Sequence, residues 1–278
     1  MGSEMCIRDR IEDIVEEAKG LVNNGVKELI IIAQDTSRYG EDLYKKRMLP
    51  ELLRELCKID SNFYIRVLYC YPDRMTDELI DTIASEPKVL KYIDLPLQHA
   101  SGKLLKRMNR HGDREVLTEL INKLRTKIPN LTIRTTFITG FPGETEEDFT
   151  ELSEFVRDMR FDRMGCFAYS PEEDTPAAEF PDQIDDEVKK HRRDIIMEQQ
   201  AEIMAEKCES MIGKTIKVLF EGFDRYAECY YGRSSADAPE VDGKVFFTVE
   251  GKKPAVGDII DVEITDYIDV DLIGEYKA

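Results

Sequence analysis

No Cys-x-x-Cys pair occurs in this 278-residue sequence, whose six cysteines (Cys6, Cys57, Cys70, Cys166, Cys208 and Cys229) are spread along its length. Such spacing argues against a zinc site built on paired thiols and against a disulfide framework. It leaves each cysteine as a reduced structural thiol. Nor is there an apolar run near the roughly 20 residues that cross a bilayer, or a signal peptide. The expectation is a soluble, cytoplasmic protein with no membrane partner. Basic residues are also few, 39 Lys and Arg against 57 Asp and Glu, for a formal net charge of -18. Phosphate contacts require clustered cations, so nucleic-acid binding by the whole chain is disfavoured. A basic partner fits the charge, as does plain solubility. With 42% hydrophobic residues the chain can fill one α/β domain of about 200 residues and a smaller module.

Residues 1–10, Met-Gly-Ser-Glu-Met-Cys-Ile-Arg-Asp-Arg, carry no pattern continuous with the residues after them and resemble translated sequencing-adaptor read-through. They are set aside as a non-native leader, and the chain is expected to begin inside a domain. Ile11, Ile14, Val15, Ala18, Leu21 and Val22 then fall at helical spacing, with Asn24-Gly25 as a left-handed stop. Leu29-Ile-Ile-Ile-Ala33 runs apolar without alternation, as a parallel strand covered on both faces does. The alternation recurs, with strands expected at 65–69, 92–95, 133–139 and 164–169 and amphipathic helices between them. Thr145, with Asp148 three residues on, opens one of these helices almost as a capping box. A long polar helix over 186–211 closes a partial (β/α) barrel spanning 11–211. After Gly213 the texture changes to short strands separated by Gly, Pro and Asp, which predicts a separate all-β, OB-like five-stranded barrel over 212–278.

In parallel βα domains ligands bind at the carboxyl ends of the strands, and here those positions are polar. They read Gln34-Asp35-Thr36, Pro96-Leu97-Gln98-His99-Ala100-Ser101, Gly140-Phe-Pro-Gly143-Glu144-Thr145 and Tyr169-Ser170-Pro171. Two glycines and a proline before a helix allow a sharp turn whose backbone approaches a flat ligand; an ordinary capped turn has the same composition. Arg134 either holds a carboxylate bidentately or makes a structural salt bridge. His99 and His111 read equally well as functional groups or as ordinary histidines.

Together these strand ends resemble the radical S-adenosylmethionine methylthiotransferases, and within them the type that modifies ribosomal protein S-twelve. The matching segments are Ile32-Ala-Gln-Asp-Thr36 with Tyr39-Gly40, Tyr69-Cys-Tyr-Pro72, Asp94-Leu-Pro-Leu-Gln-His-Ala-Ser101 with Lys106-Arg-Met-Asn-Arg110, Arg134-Thr-Thr136, Gly140 to Thr145, and Phe167-Ala-Tyr-Ser-Pro-Glu-Glu173. The resemblance implies a partial radical SAM barrel followed by a TRAM domain. It implies S-adenosylmethionine as cofactor, two four-iron four-sulfur clusters in the parent enzyme, an electron donor to reduce them, and transfer of a methylthio group to the β-carbon of an aspartate. It also implies roles near S-adenosylmethionine or substrate for Gln34, Asp35, Gln98 and His99, and places Gly140, Gly143 and Glu144 against adenine or ribose.

The family's Cys-x-x-x-Cys-x-x-Cys loop is absent from this sequence, so the chain by itself is expected to bind no iron and to catalyse nothing. Anaerobic iron-sulfide reconstitution should leave it colourless. Related enzymes modify adenosine in transfer RNA, and TRAM domains are taken as RNA-binding modules. Yet residues 212–278 carry eight Lys and Arg against fourteen Asp and Glu, a net of -6. That balance disfavours RNA contact and suits the basic ribosomal protein S-twelve. It also disfavours a noncatalytic RNA-binding protein. A βα-barrel lyase is disfavoured by the lack of a Schiff-base lysine or a carboxylate and histidine metal set at strand ends.

Overall fold

The structure is a computed structural model that describes residues 9–277. Its first unit is a five-stranded parallel sheet in the order β1-β2-β3-β4-β5, so each βα step advances by one strand. The strands are Glu28–Ile31, Tyr64–Val67, Val89–Asp94, Thr132–Thr139 and Arg163–Ala168. Between and around them run α1 (Ile11–Asn23), α2 (Leu49–Cys57), α3 (Asp77–Ser85), α4 (Gly102–Arg107), α5 (Arg114–Lys127), α6 (Glu146–Met159) and α7 (Asp186–Glu209). Crossovers between parallel neighbours keep one hand, so the helices share one face of the sheet, where α1, α2, α3, α5, α6 and α7 touch in succession.

β4 shows what this one-sided cover does. Ile133, Thr135 and Phe137 point to the helices and are wholly buried, whereas Arg134, Thr136 and Ile138 alternate with them and are half-buried. The continuous apolar reading of the strands therefore holds for the outer face only, while the inner face is polar and open. On the outer face Phe137 meets Phe155 and Phe161 edge to face at centroid distances of 6.3 and 5.6 Å, and Phe155 and Phe161 lie tilted at 5.9 Å. Truncating such a buried phenylalanine costs about 3–5 kcal/mol. α6 begins with a complete capping box: Thr145 accepts from the Asp148 amide, and Asp148 accepts from the Thr145 amide at 3.0 Å. Asp suffices in place of Glu because Ser101 and Lys103 hold its carboxylate from outside the helix.

The second unit is a closed barrel in the order β10-β8-β7-β6-β9. Its strands are β6 (Thr215–Asp224), β7 (Cys229–Ser234), β8 (Val245–Glu250), β9 (Ile259–Ile268) and β10 (Asp271–Lys277). Val218, Phe220, Val245, Phe247, Val262 and Ile264 fill it, and Met204 and Cys208 at the end of α7 share that core. Tyr230 packs between Phe220, Phe223 and Phe247 as part of the barrel wall.

The two units have largely separate cores, and polar contacts join them. One segment, Arg233 to Asp242, crosses the inner floor of the parallel sheet and makes a polar contact with each of its five strands. Arg233 pairs with Glu28 at 2.5 Å, and the Ser235 carbonyl accepts from Arg66 at 3.1 Å. Asp242 accepts from the Tyr92 hydroxyl at 2.6 Å and pairs with Arg134, and Asp237 pairs with Arg163. Ala238 is wholly buried against Leu90 and Tyr92. Burying charges inside the sheet is tolerable because each is paired, Glu28 with Arg66 and Arg233, Arg134 with Asp94 and Asp242, and Arg163 with Asp237.

Candidate functional site

The carboxyl ends of β1 to β5 open into a cavity of about 950 Å³. That is at the upper end of what small-molecule sites enclose, about 300–1,000 Å³. Ile32, Tyr69 and Phe167 line it although they are 48, 43 and 62% exposed, so large apolar faces stand in a concave site instead of in the core. The only charged side chains lining it, among the described residues, are Arg110 and Arg134. Arg110 stacks on Tyr71, its guanidinium 4.5 Å from the ring centre, and the two also share a hydrogen bond at 3.4 Å. An apolar cavity with two cations and no lining carboxylate accommodates a flat, uncharged group beside an anionic one.

Two wall residues hold left-handed backbones that side chains seldom adopt, Tyr69 at φ 56° and Gln98 at φ 72°. Each is pinned. The Tyr69 amide donates to Asp94 at 3.1 Å and its carbonyl accepts from Thr36 at 2.9 Å. Gln98 bridges to β4 through its amide to Thr136 and its carbonyl to Ile138, both at 2.8 Å. Its side-chain Oε1 is hidden from solvent and has no hydrogen-bond partner among the described residues. An orphaned acceptor on a strained residue at a cavity wall is an unused binding group for an amine or hydroxyl.

Of the residues the sequence singles out, Gln34, Gln98 and Arg134 meet in this cavity. Arg134 is not a free carboxylate clamp: its Nη1 donates to Asp94 at 2.9 Å and its Nε faces Asp242 at 3.6 Å. Burial works against its charge, but Asp94 and Asp242 outweigh this and raise its pKa above the ordinary value. Asp35 turns to the other side of β1, where Ser37 donates to it and Arg74 pairs with it at 3.2 Å. Burial nonetheless raises its carboxyl above the usual value.

His99 and Glu144 point away from the cavity. His99 is wholly buried; its Nδ1 accepts from the Ser101 amide at 3.0 Å, which puts the proton on Nε2, 3.3 Å from Glu144. Glu144 also accepts from the Gly140 amide at 2.9 Å and from Arg192 of α7 at 2.7 Å. The glycines of this turn make room for protein. A Cβ on Gly140, at φ 71°, would run into Lys189, and one on Gly143, at φ 81°, into the Arg107–Asp182 pair. Phe141 between them is buried against Tyr169 and Phe180. The turn thus anchors the loop that carries Gln98, and its two glycine positions face Lys189, Arg107 and Asp182. His111 is on the surface. The segments around Tyr69, Tyr71, Arg110 and Phe167 stand in the sequence beside the residues singled out, but nothing in local spacing shows that their side chains converge.

S-adenosylmethionine fits what is there: flat apolar walls, an orphaned acceptor and two guanidinium groups. An iron-sulfur cluster does not. It needs several thiolates at close spacing, and among the described residues no group of three His, Cys, Asp or Glu side chains could hold a metal. Cys70, which lines the cavity, is kept protonated by burial, with Asp94 and Asp35 adding to the rise.

The sequence pattern described as the Radical SAM superfamily matches residues 5–156, and that of the TRAM domain matches 212–276. The chain is 52% identical over 264 residues to a protein of Lachnoclostridium phytofermentans named ribosomal protein uS12 methylthiotransferase RimO, with 95% of this chain and 60% of that protein covered. It is likewise 52% identical over 267 residues to a protein of the same name from Caldanaerobacter subterraneus. The chain thus spans about 60% of the length of these curated relatives. Among solved structures, Escherichia coli coproporphyrinogen III oxidase, described as a radical SAM enzyme, is 18% identical with a TM-score of 0.49, over 80% of this chain and 49% of that one. With the superfamily pattern covering more than half of its residues, and a parallel βα sheet that opens a cavity at its strand ends, the chain belongs to the radical SAM superfamily.

Proposed function

We propose that the strand-end cavity binds S-adenosylmethionine, and that the chain forms the part of a methylthiotransferase that brings the β-carbon of an aspartate of ribosomal protein uS12 to it. The observation that carries this reading is the 52% identity over 264 residues to a protein named for that modification, with Gln34, Gln98 and Arg134 from the matching strand ends gathered around one cavity. When bound, S-adenosylmethionine supplies the adenosyl radical and methyl chemistry of the superfamily. This chain's residues bind and orient it. Arg110 and the Nη2 of Arg134, which makes no hydrogen bond among the described residues, attract the methionine carboxylate, and Gln98 Oε1, turned out of its buried position, accepts from an amine or hydroxyl of the adenosyl group. Tyr69, Tyr71 and Phe167 shield the adenine from water. On this reading the whole enzyme works in the cytoplasm with two four-iron four-sulfur clusters and a separate electron donor, and neither thiolate set lies among the described residues.

The net charge of -6 over residues 212–278 favours the basic uS12 over transfer RNA as the docking partner. Titration calorimetry of the full chain with S-adenosylmethionine tests the cavity, with one saturable site expected; no binding at millimolar concentration overturns it. Binding to purified uS12 and to transfer RNA at two salt concentrations tests the partner. Tight, salt-sensitive transfer RNA binding without uS12 binding overturns that choice.

A further inference from the structure

The segment from Arg233 to Asp242 meets all five strands, but only one of those contacts continues into the cavity. Arg163, Arg66 and Glu28 line no part of the strand-end cavity, whereas Arg134 does. From Asp242 the contacts run without a gap. Its Oδ1 faces Arg134 Nε at 3.6 Å, Arg134 Nη1 donates to Asp94 Oδ1 at 2.9 Å, and Asp94 Oδ2 accepts from the Tyr69 amide at 3.1 Å. The Asp94 carbonyl also accepts from the next amide, that of Cys70, at 2.9 Å. Tyr69 is the cavity-wall residue held at φ 56°, a conformation that persists only where its surroundings impose it. Asp242 is itself fixed, for its Oδ2 accepts from the Tyr92 hydroxyl at 2.6 Å and the Ala238 amide at 2.9 Å, and its side chain is 3% exposed.

We propose that Asp242, in the C-terminal barrel, is a positioning residue for the cavity, setting the direction of Arg134 and through Asp94 the strained wall at Tyr69. The C-terminal barrel is then part of the binding site's floor as well as a docking module. The inference rests on the cavity's binding S-adenosylmethionine. Within the same joint stands a matched control: Asp237, 2% exposed, pairs with Arg163 on β5, which lines no part of the cavity.

The test compares Asp242→Asn, Asp242→Glu and Asp237→Asn in the full chain, measuring the Kd for S-adenosylmethionine by calorimetry and the urea midpoint. Both asparagine variants lose an interdomain ion pair and are expected to lose stability alike. Asp242→Asn is expected to weaken S-adenosylmethionine about tenfold, within the usual range of coupling between sites, while Asp237→Asn stays within about twofold. Asp242→Glu, which restores the charge, is expected to recover most of the affinity. Equal Kd values for the two asparagine variants overturn the inference and leave the cavity assignment standing. No binding by the unaltered chain overturns both. Should Asp242→Asn fail to fold, Tyr92→Phe decides. It removes one donor from Asp242 and is expected to weaken binding about threefold, and an unchanged Kd overturns the inference.

Discussion

Gln98 and His99 are neighbours in the chain and opposites in the structure. Gln98 is a cavity-wall residue whose buried Oε1 has no hydrogen-bond partner among the described residues, while His99 is sealed among Ser101, Glu144 and, one step on, Arg192, with both ring nitrogens used. The same division separates the cavity wall (Gln34, Tyr69, Gln98, Arg134) from the buried cluster behind it (His99, Gly140, Gly143, Glu144). Strand-end residues therefore split into those that present chemistry and those that hold the loops presenting it. The two groups are expected to respond differently to substitution, because the wall borders the cavity while the cluster's imidazole and carboxylate are held by protein partners.

The largest effect falls on the buried cluster. Glu144 and Arg192 form a pair that is almost wholly inaccessible, so Arg192→Met strands a buried carboxylate and is expected to cost about 3–5 kcal/mol in urea unfolding. Gly140→Ala, which forces a side chain into Lys189 at a left-handed backbone, should fall in the same class. In whatever fraction stays folded, S-adenosylmethionine affinity should remain within about threefold. A loss of affinity at undiminished stability would join the cluster to the site and dissolve the distinction.

The cavity wall should behave in reverse. Gln98→Leu removes the orphaned carbonyl, so stability is expected to stay level or rise by up to about 1 kcal/mol. The same change should weaken S-adenosylmethionine about three- to tenfold, the effect of one lost hydrogen bond. Stability gained as affinity falls marks a binding residue, and a loss of both would return Gln98 to the structural group.

Much of the fold was legible from the sequence because apolar spacing repeats at every βα step, and α1, α6 and α7 start where the sequence predicts. The helix at 102–107 has too few residues to show a period. β7 and β10 lie in segments where glycine, tyrosine and charge interrupt the alternation: Gly232 and Gly274 are there because a Cβ would strike the neighbouring backbone. Half of the site was legible. Position at a strand end identifies a residue's neighbourhood, but which way it faces depends on φ at Tyr69 and Gln98, which nothing local specifies. Least legible were the inward charges Glu28, Arg66 and Arg163, whose partners lie in the segment 233–237; Arg66 and Ser235 are 169 residues apart.

Beside the buried cluster sits Asp148, hydrogen-bonded to Ser101, and pH sharpens its place. Burial raises its carboxyl, but hydrogen bonds from Thr145, Lys103 and Ser101 outweigh this and hold it at about 2 against an ordinary 3.8. A depressed folded pKa contributes stability that is full above the ordinary value and lost as pH falls from about 4 towards 2. After discounting for solvent screening at the partly exposed Lys103, the expected loss is about 1–2 kcal/mol, seen as a fall in urea midpoint that Asp148→Asn abolishes. S-adenosylmethionine affinity measured from pH 7 down to 5 should not follow it, since Asp148 is still ionised throughout that interval.

The smallest effect is expected at the outer edge of the same turn. Arg107 reaches Asp182 with two hydrogen bonds of 2.7 Å and lies 4.7 Å over Phe180, in the space that the missing Cβ of Gly143 leaves. Arg107→Lys keeps the charge and gives up the second hydrogen bond and the planar stacking. Because the pair is exposed, solvent replaces most of what is lost, so the urea midpoint should not move measurably and S-adenosylmethionine affinity should stay at the wild-type value. The change to watch is proteolysis of residues 170–185, which this pair ties to the turn through Asp182, whose carbonyl also accepts from the Gly143 amide. Faster cleavage at unchanged affinity would show that the turn's outer face holds this loop and has no part in the cavity. Altered affinity would mean that even the edge of the cluster is coupled to the wall, and that the division between holding and presenting residues runs elsewhere.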